Sequence, residues 1–308
     1  MTARLFIDGA AGTTGIDIRE RLAGRTDVEI LLLDEARRKD ASARREALND
    51  ADFVILCLPD DAAREAVALI DNDRTRVIDA SSAHRVADGW TYGFPELEPD
   101  GAARIAAATR VSNPGCYPTG FLALVRPLVR AGLIPADWPV SVNATSGYSG
   151  GGKAMIADYE AGDASAFRPY ALSLAHKHVP EMTLHSGLTH APIFAPAVAN
   201  VRQGMVVEVP LPLLALPGRP TLAALTDALS AAYDGQPLVS VATDQPTGIA
   251  IEENAGTDRL TLRVLGNDAT GQARLIATLD NLGKGAGGAA VQNLNIMAGL
   301  DPLAGLHR

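Results

Sequence analysis

Short apolar runs alternate with helical patterns along the first third of the chain. The runs are rich in Leu, Ile, Val and Phe and are bounded by Gly, Pro or Asp, which is typical of strands. They are Arg4–Asp8, Val28–Leu33, Ala51–Leu58, Arg76–Asp79 and Ile105–Val111. Helical patterns follow the first three of these strands, and a further helix is predicted over 117–131. This alternation predicts an α/β fold: a Rossmann-like, doubly wound parallel sheet with helices on both faces.

Beyond about residue 135 the pattern changes, because strand-like runs become frequent and only three helices intervene before the last helix, Ala286–Ala298. This pattern of frequent strands and few helices predicts a second α+β domain with a mixed or antiparallel sheet that carries helices on one face. We therefore expect an NADP-binding domain over 1–118 and 282–308, and a catalytic and dimerisation domain over 119–281. The sheet of the second domain is the expected subunit interface.

Composition and charge exclude several classes of function. Of the 308 residues 47% are hydrophobic, and the net charge is −9, so extended binding to a nucleic-acid backbone is disfavoured. Two cysteines are too few for a disulfide scaffold or a Cys-rich zinc site, and no metal is expected. The longest apolar run, Phe53–Leu58, is too short to cross a membrane, and the amino-terminal residues do not resemble a secretory signal. A cytoplasmic enzyme is expected.

A glycine-rich loop, GAAGTTG over Gly9–Gly15, lies between the first strand and the first helix. Small residues there let a pyrophosphate approach the backbone, and the helix N-terminus offers free N–H groups. The spacing GxxGxxG is not the usual GxGxxG, so a tight turn is the alternative. After the second strand, Asp34 and Glu35 would favour NAD, whereas the cations at 37–39 favour NADP; a solvated helix start is the alternative for any one of them.

Cys116 is the candidate nucleophile. It lies in SNPGCYPTG, directly before a predicted helix, where the helix dipole and free N–H groups favour a thiolate. Cys57, within FVILCLP, is expected to be a buried strand residue. A nucleophilic thiol needs a proton-transfer partner, and the cluster His176-Lys177-His178 followed by Glu181 supplies the best candidates. A polar surface loop is the alternative for this cluster.

Four segments together carry a family resemblance: SNPGCYPTG, HKHVPE, the Gly9–Gly15 loop and LGKGAGGAAVQNLNIM. They resemble the N-acetyl-γ-glutamyl-phosphate reductase family of arginine biosynthesis, in its shorter subfamily. The resemblance implies that Cys116 is the nucleophile, that His176 is the acid/base and that Glu181 is its supporting carboxylate. It also implies an NADP cofactor and a homodimer or homotetramer. The family has HRH where this chain has HKH, which leaves the contacts of Lys177 open.

The site residues that follow fall into two further groups. The expected cofactor-binding residues are Gly9, Gly12, Thr13, Thr14, Gly15, Arg38, Lys39, Ser81, Gly283, Lys284 and Gly285. The candidates for binding the anionic acyl phosphate are Asn113, Arg85, Arg110, Ser146, Gly147, Ser149 and Arg202. Within the second group, the loop over 146–152 is expected to bind the phosphate through its backbone N–H groups.

The implied chemistry is thiolate attack on an acyl phosphate, reduction of the resulting thioester by hydride from NADPH, and release of a semialdehyde. Three alternatives remain open from the sequence. The substrate could be another acyl phosphate, such as aspartyl phosphate or a carrier-bound aminoadipyl phosphate. The Cys116–His176 pair could serve a cofactor-free hydrolase. The chain could also be a non-catalytic nucleotide-sensing module.

Overall fold

The computed structural model describes residues 2–34, 36–38, 40–162 and 164–308. The chain forms two compact units. The first comprises Met1–Gly115 and Ala286–Leu306, and the second comprises Cys116–Gly285 with the last two residues. No helix among the described residues is long and apolar enough to cross a membrane.

The first unit is built on a six-stranded parallel sheet in the order β2-β1-β3-β4-β6-β5. Its elements in chain order are β1 (Ala3–Asp8), α1 (Thr13–Leu22), β2 (Val28–Leu31), α2 (Ala41–Asp50), β3 (Phe53–Leu56), α3 (Asp60–Leu69), β4 (Arg76–Asp79), β5 (Thr91–Tyr92), α4 (Gly101–Ala107) and β6 (Arg110–Ser112). Strand order reverses between β1 and β3, as in a doubly wound sheet. The predicted Rossmann-like class is confirmed.

Alternating side chains bury both faces of this sheet. Leu5 and Ile7 of β1 join one core with α1, while Phe6 between them joins the core formed with α2 and α3. The predicted strand 105–111 is wrong in its first half. Ile105 is fully buried but belongs to α4, an alanine-rich segment whose helix propensity outweighs the apolar run, and the strand is confined to β6.

The second unit contains a seven-stranded sheet in the order β11-β12-β13-β10-β7-β9-β8. Its elements are α5 (Cys116–Arg130), β7 (Ser141–Gly147), a 3₁₀ turn (Tyr148–Gly151), α6 (Gly152–Glu160), β8 (Phe167–Pro169), α7 (Val179–Ser186), β9 (Ile193–Ala199), β10 (Met205–Pro212), a second 3₁₀ turn (Leu213–Ala215), α8 (Leu222–Ala232), β11 (Val239–Val241), β12 (Leu260–Asn267) and β13 (Gln272–Leu279). A π-helical turn, Gly283–Gly287, then leads to α9 (Gly288–Ala298), which packs in the first unit.

The seven-stranded sheet is mixed, as predicted. Strands β7 and β9 are parallel, as are β11 and β12, and the other neighbouring pairs are antiparallel. Helix α5 packs against β10 and β13, and α8 packs against β12. Almost the whole of α5 is buried, so packing of the helix fixes the position of its first residue, Cys116.

Candidate active site

The glycine loop of the first unit is held tightly against the sheet. Gly9 has φ +89°, and a Cβ atom there would lie 2.2 Å from the carbonyl oxygen of Cys57, so only glycine fits. A Cβ atom at Gly15 would lie 2.6 Å from the carbonyl oxygen of Gly9. Helix α1 begins at Thr13, after Gly12, and the first helical N–H groups follow this loop. This geometry fits the diphosphate of a dinucleotide.

The predicted choice between NAD and NADP depends on the turn after β2. The side-chain carboxylate of Asp34 accepts a hydrogen bond from the backbone N–H of Arg37 (2.8 Å), and the backbone carbonyl of Asp34 accepts one from the N–H of Arg38 (3.0 Å). Its carboxylate therefore stabilises the turn. The side chain of Arg38 is exposed, and that of Arg37 lies 3.3 Å from Glu46. Glu35 and Lys39, which the sequence analysis also named, lie outside the described residues.

A buried ion pair at the end of β1 was not predicted. The carboxylate of Asp8, which is 5% exposed, accepts hydrogen bonds from Nη2 (2.8 Å) and Nε (3.1 Å) of Arg44 in α2. Asp8 directly precedes the glycine loop, so Arg44 neutralises a carboxylate next to the segment expected to bind a diphosphate. The sequence contains no signal for this pair, because the two residues are 36 positions apart.

Several predicted residues lie at the carboxyl ends of β4 and β6, where they hold the backbone. The buried guanidinium of Arg85 donates to the carbonyl of Asn113 (3.0 Å) and to that of Ala80 (3.2 Å). The amide of Asn113 donates to the carbonyl of Ala286 (3.0 Å) and accepts from Asn293 (3.0 Å).

Ser81 and Arg110 lie in different settings. The hydroxyl of Ser81 donates to Asp79 at 2.7 Å, and the same carboxylate oxygen lies 2.6 Å from Nδ1 of His84. Arg110 begins β6, at the amino end of the strand, where its guanidinium lies over the ring of Trp90. The carboxyl ends of the parallel strands, where ligands bind in such sheets, are at the opposite edge. The position of Arg110 therefore does not support the prediction that it contacts the substrate.

In the second unit, Cys116 is the first residue of α5 and is partly exposed. A Cβ atom at Gly285, in the π-helical turn, would lie 2.8 Å from the Cβ atom of Cys116, so this glycine gives the cysteine its space. Lys284 beside it is 1% exposed. Cys57, expected to be a buried strand residue, lies one residue beyond the end of β3 and is partly exposed, as Cys116 is. Desolvation, with the nearby carboxylates of Asp79 and Asp8, nevertheless raises the pKa of its thiol to about 12.

Four rings surround His176. The centroid of the His176 ring lies 5.1 Å from that of Phe194, 5.6 Å from that of Tyr170, 6.2 Å from that of Tyr117 and 4.7 Å from that of His178. Tyr117 directly follows Cys116, which brings the imidazole close to the start of α5. Nδ1 of His176 accepts a hydrogen bond from the backbone N–H of His178 at 3.1 Å.

The two tyrosines of this ring cluster were not predicted. The hydroxyl of Tyr170 donates to that of Tyr117 (3.3 Å), which donates to the carbonyl of Ala197 (3.1 Å). Burial raises the pKa of Tyr170 to about 12 and that of Tyr117 well above its usual value, and the neighbouring Cys116 thiolate adds to both shifts. Both phenols therefore stay neutral beside the thiol. Tyr117 is adjacent to a recognised motif, but Tyr170 carries no signal in the sequence.

Glu181, the predicted supporting carboxylate, lies in the first turn of α7 and is 1% exposed. Pro180 precedes it, also in the first turn, where the fixed φ of proline suits a helix start. The helix therefore holds Glu181 in the interior, three residues after the His178 ring. Its contribution to catalysis stays a prediction.

Three backbone N–H groups of the loop after β7 are engaged in other hydrogen bonds. The N–H groups of Gly147, Tyr148 and Ser149 donate to the carbonyls of Gly204 (2.9 Å), Val201 (2.9 Å) and Arg202 (3.0 Å), respectively. These three N–H groups hold two loops together and are not available to a phosphate in this conformation. The hydroxyls are engaged as well: that of Ser146 donates to the carbonyl of Gly147, and that of Ser149 accepts from Asn281. The side chain of Arg202 is exposed.

Comparison with known proteins agrees with this division of the chain. Residues 4–105 match the family model described as "Semialdehyde dehydrogenase, NAD binding domain", and residues 116–281 match "Semialdehyde dehydrogenase, dimerisation domain". Among solved structures, an aspartate semialdehyde dehydrogenase from Francisella tularensis has a TM-score of 0.73 at 13% identity, covering 96% of this chain and all of that one. At this identity the likeness shows the fold alone.

The fold and the two matched models define the class: a semialdehyde dehydrogenase, an oxidoreductase that combines an NAD-binding domain with a dimerisation domain. An N-acetyl-γ-glutamyl-phosphate reductase from Mesorhizobium japonicum is 53% identical over 97% of this chain and 100% of its own length. N-acetyl-γ-glutamyl-phosphate reductase 2 from Pseudomonas putida is 52% identical over 97% of each chain. The chain belongs to the N-acetyl-γ-glutamyl-phosphate reductase family, and the resemblance seen in its sequence motifs is confirmed.

Proposed function

We propose that the protein reduces N-acetyl-γ-glutamyl phosphate to N-acetylglutamate 5-semialdehyde and phosphate, with NADPH, in arginine biosynthesis. The observation that carries this proposal is the partly exposed Cys116 at the start of α5, with the His176 ring packed against the adjacent Tyr117. Relatives that are 52–53% identical over 97% of this chain are named for this activity.

The thiolate of Cys116 attacks the acyl carbon and expels phosphate, forming a thioester. N–H groups at the start of α5 are positioned to stabilise the thiolate and the oxyanion that forms beside it. When bound, NADPH supplies the hydride that reduces the thioester carbon. His176 provides the proton at that oxygen, and collapse of the thiohemiacetal releases the semialdehyde and restores the Cys116 thiolate.

The first unit supplies the residues that would hold the cofactor. The loop of Gly9, Gly12 and Gly15, with Thr13 and Thr14 at the start of α1, would bind the diphosphate. The exposed guanidinium of Arg38 would bind the 2′-phosphate that distinguishes NADP from NAD. Ser81 and the turn over 283–285 remain proposed contacts for the rest of the cofactor.

A substrate comparison tests the proposal. Wild-type enzyme should oxidise NADPH with N-acetyl-γ-glutamyl phosphate and much more slowly with aspartyl phosphate or a carrier-bound aminoadipyl phosphate. The variant Cys116→Ser should lose on the order of 10⁴-fold in kcat, as expected for removal of a nucleophile, while it still binds NADPH. Absence of NADPH oxidation by the wild type, or full activity of the serine variant, would refute the assignment.

We also propose that the protein is a homodimer or homotetramer assembled through the seven-stranded sheet. Phe167 of β8 and Ile193 of β9 are 56% and 58% exposed, and an apolar cavity of about 310 Å³ lies beside them, between β7, β8, β9 and the loop over 170–174. The matched family model describes this unit as a dimerisation domain. Light scattering on the eluted protein should give two or four chain masses, and Phe167→Asp should lower that number.

The expected cytoplasmic location stays a proposal as well. It is supported by the biosynthetic role for which the relatives are named. Fractionation of cells that express the tagged full chain would test it, and recovery in a membrane or exported fraction would contradict it.

A further inference from the structure

The loop over 170–174 combines an apolar surface with an unfavourable backbone conformation. Leu172 and Leu174 are 81% and 53% exposed, and Ser173 between them is exposed as well. Among the described residues three non-glycine residues have a positive φ, and two of them lie in this loop, Ala171 at +51° and Leu174 at +60°. A residue with a side chain populates the left-handed region about 5- to 30-fold less than the right-handed one. Such strain persists only where surrounding contacts hold it in place.

Contacts of that kind are scarce within the subunit itself. Backbone hydrogen bonds shape both ends of the loop: the N–H of Tyr170 donates to the carbonyl of Pro196 in β9 (3.1 Å), and that of Leu174 donates to the carbonyl of Ala171 (2.9 Å). The leucine side chains, which would anchor the loop if they were buried, are mostly in water. A strained loop with exposed apolar side chains is typical of a surface that a partner covers.

A second copy of this chain is the partner that fits this surface. Leu172 and Leu174 line the apolar cavity of about 310 Å³ together with Phe167 of β8. Phe167 and Ile193 are more than half exposed, so the loop continues the sheet surface that is proposed above for assembly. The model that matches residues 116–281 describes the unit as a dimerisation domain, which favours a second copy over an unrelated protein.

The same loop contacts the candidate acid/base. The ring of Tyr170, its first residue, lies 5.6 Å from that of His176 between centroids, and its hydroxyl donates to that of Tyr117 at 3.3 Å. We propose that this loop is an assembly-dependent positioning element. A second copy packs on Leu172 and Leu174 and thereby holds Tyr170 against His176, so the active site is complete only in the oligomer.

Loss of the partner has a defined physical consequence. The strain at Ala171 and Leu174 is then relieved by a change of backbone conformation, which moves the adjacent Tyr170. The His176 ring loses an aromatic contact that helps to orient it, whereas Cys116 keeps its place at the start of the buried helix α5. A displacement of about 1 Å at a reacting group costs on the order of 10²-fold in rate. The single chain is therefore expected to keep its nucleophile and to lose the alignment of its acid/base.

Amide hydrogen exchange of the full-length protein tests the loop without substrate. Ile193→Asp places a charge on β9, outside the loop, and should give single chains by light scattering. In those single chains we expect the peptide over 170–179 to exchange faster by about tenfold or more, with the peptides of α5 unchanged. Leu214→Asp is the matched control, because this leucine is 56% exposed but lies in the 3₁₀ turn after β10. It should keep the wild-type mass and exchange rates.

Activity tests the link from the loop to the site. Per chain, kcat of Ile193→Asp should fall by about tenfold or more in dilute solution and should recover as the enzyme concentration is raised and the chains reassociate. A local defect would not depend on concentration. Wild-type enzyme diluted until it dissociates gives the same comparison, so the result does not depend on one variant.

The inference rests on the proposed assembly and reaction, and the readouts keep their failures apart. Dissociated chains with wild-type exchange over 170–179 and wild-type kcat would overturn the inference while assembly and reaction stand. A wild-type protein that is a single chain at every concentration would overturn both the assembly and the inference. If the wild type does not oxidise NADPH with the proposed substrate, the reaction is refuted, and the exchange rates still decide whether assembly orders the loop.

Discussion

Substitution of Gly285 by alanine should damage catalysis through one methyl group. The new Cβ atom would lie 2.8 Å from the Cβ atom of Cys116, whereas carbon atoms in contact are normally about 3.5–4.0 Å apart, so something must move by about 1 Å. The turn cannot easily retreat, because the N–H of Gly285 donates to the carbonyl of Asp280 (3.0 Å). The carboxylate of Asp280 accepts in turn from the N–H groups of Leu282 (2.8 Å) and Gly256 (2.6 Å). The added Cβ atom would also lie 2.9 Å from the carbonyl oxygen of Asp280 and 3.3 Å from the Cα atom of Cys116, so the backbone at this contact has to shift and Cys116 is displaced with it.

A displacement of about 1 Å at a reacting group costs on the order of 10²-fold in rate, and overpacking costs about 1–3 kcal/mol of stability. We expect kcat of Gly285→Ala to fall by about that factor at saturating substrates, together with a changed rate of Cys116 alkylation by iodoacetamide. Gly248→Ala is the matched control: no heavy atom lies within 4 Å of its added Cβ, and its φ lies outside the range that favours glycine. Wild-type kcat and alkylation in a folded Gly285→Ala enzyme would refute the steric argument.

Three further predictions concern thiol reactivity and stability. Alkylation near neutral pH should modify Cys116 and spare Cys57, whose pKa is raised to about 12, so modification of Cys57 in the folded protein would contradict its assignment. Although burial opposes it, the hydrogen bonds from Arg263 lower the pKa of Glu253, so this pair stabilises the fold above pH ~4.5 and less as the carboxylate is protonated. Urea unfolding of Arg263→Met should show a loss of about 2 kcal/mol at neutral pH that shrinks in acid, and a loss independent of pH would exclude the ion pair as its cause. Asn113→Ala removes the hydrogen bonds to the partly buried carbonyl of Ala286 and from the buried amide of Asn293, which keeps its bond to Gly93, and should cost about 1–3 kcal/mol; an unchanged Tm would show that the amide is dispensable.

The sequence predicts the fold correctly where the local pattern of apolar residues matches the residues that are buried. In β1 the alternation of Leu5, Phe6 and Ile7 between two cores is the period of a strand covered on both faces. The pattern failed at Ile105, whose burial is equally compatible with a helix, and it could not detect β5 or β8, which are two and three residues long. Strands this short are defined by their neighbours in the sheet, and neighbours far along the chain leave no local signal.

The candidate site shows the same division between local and long-range information. Cys116 and the glycine loop are local motifs, since a helix start and a tight turn are specified by adjacent residues. The rings around His176 come from α5, from the loop after β8 and from β9, and their convergence exists only in the folded chain. Pairing of the N–H groups at 147–149 with the next loop is equally undetectable in the sequence, because the partners lie more than 50 residues away along the chain.

The spacing of the two histidines has a physical meaning that follows from the turn they occupy. Residues two positions apart cannot share a helix face, which excludes a helical metal pair. Here His176 precedes the helix and His178 caps it, so the separation is the one at which a backbone N–H reaches back to an imidazole two residues earlier. Lys177 between them is exposed, and its side chain takes no part in that bond. The exchange of Arg for Lys between HRH and HKH should therefore leave the geometry of His176 unchanged, because the bond is made by the backbone.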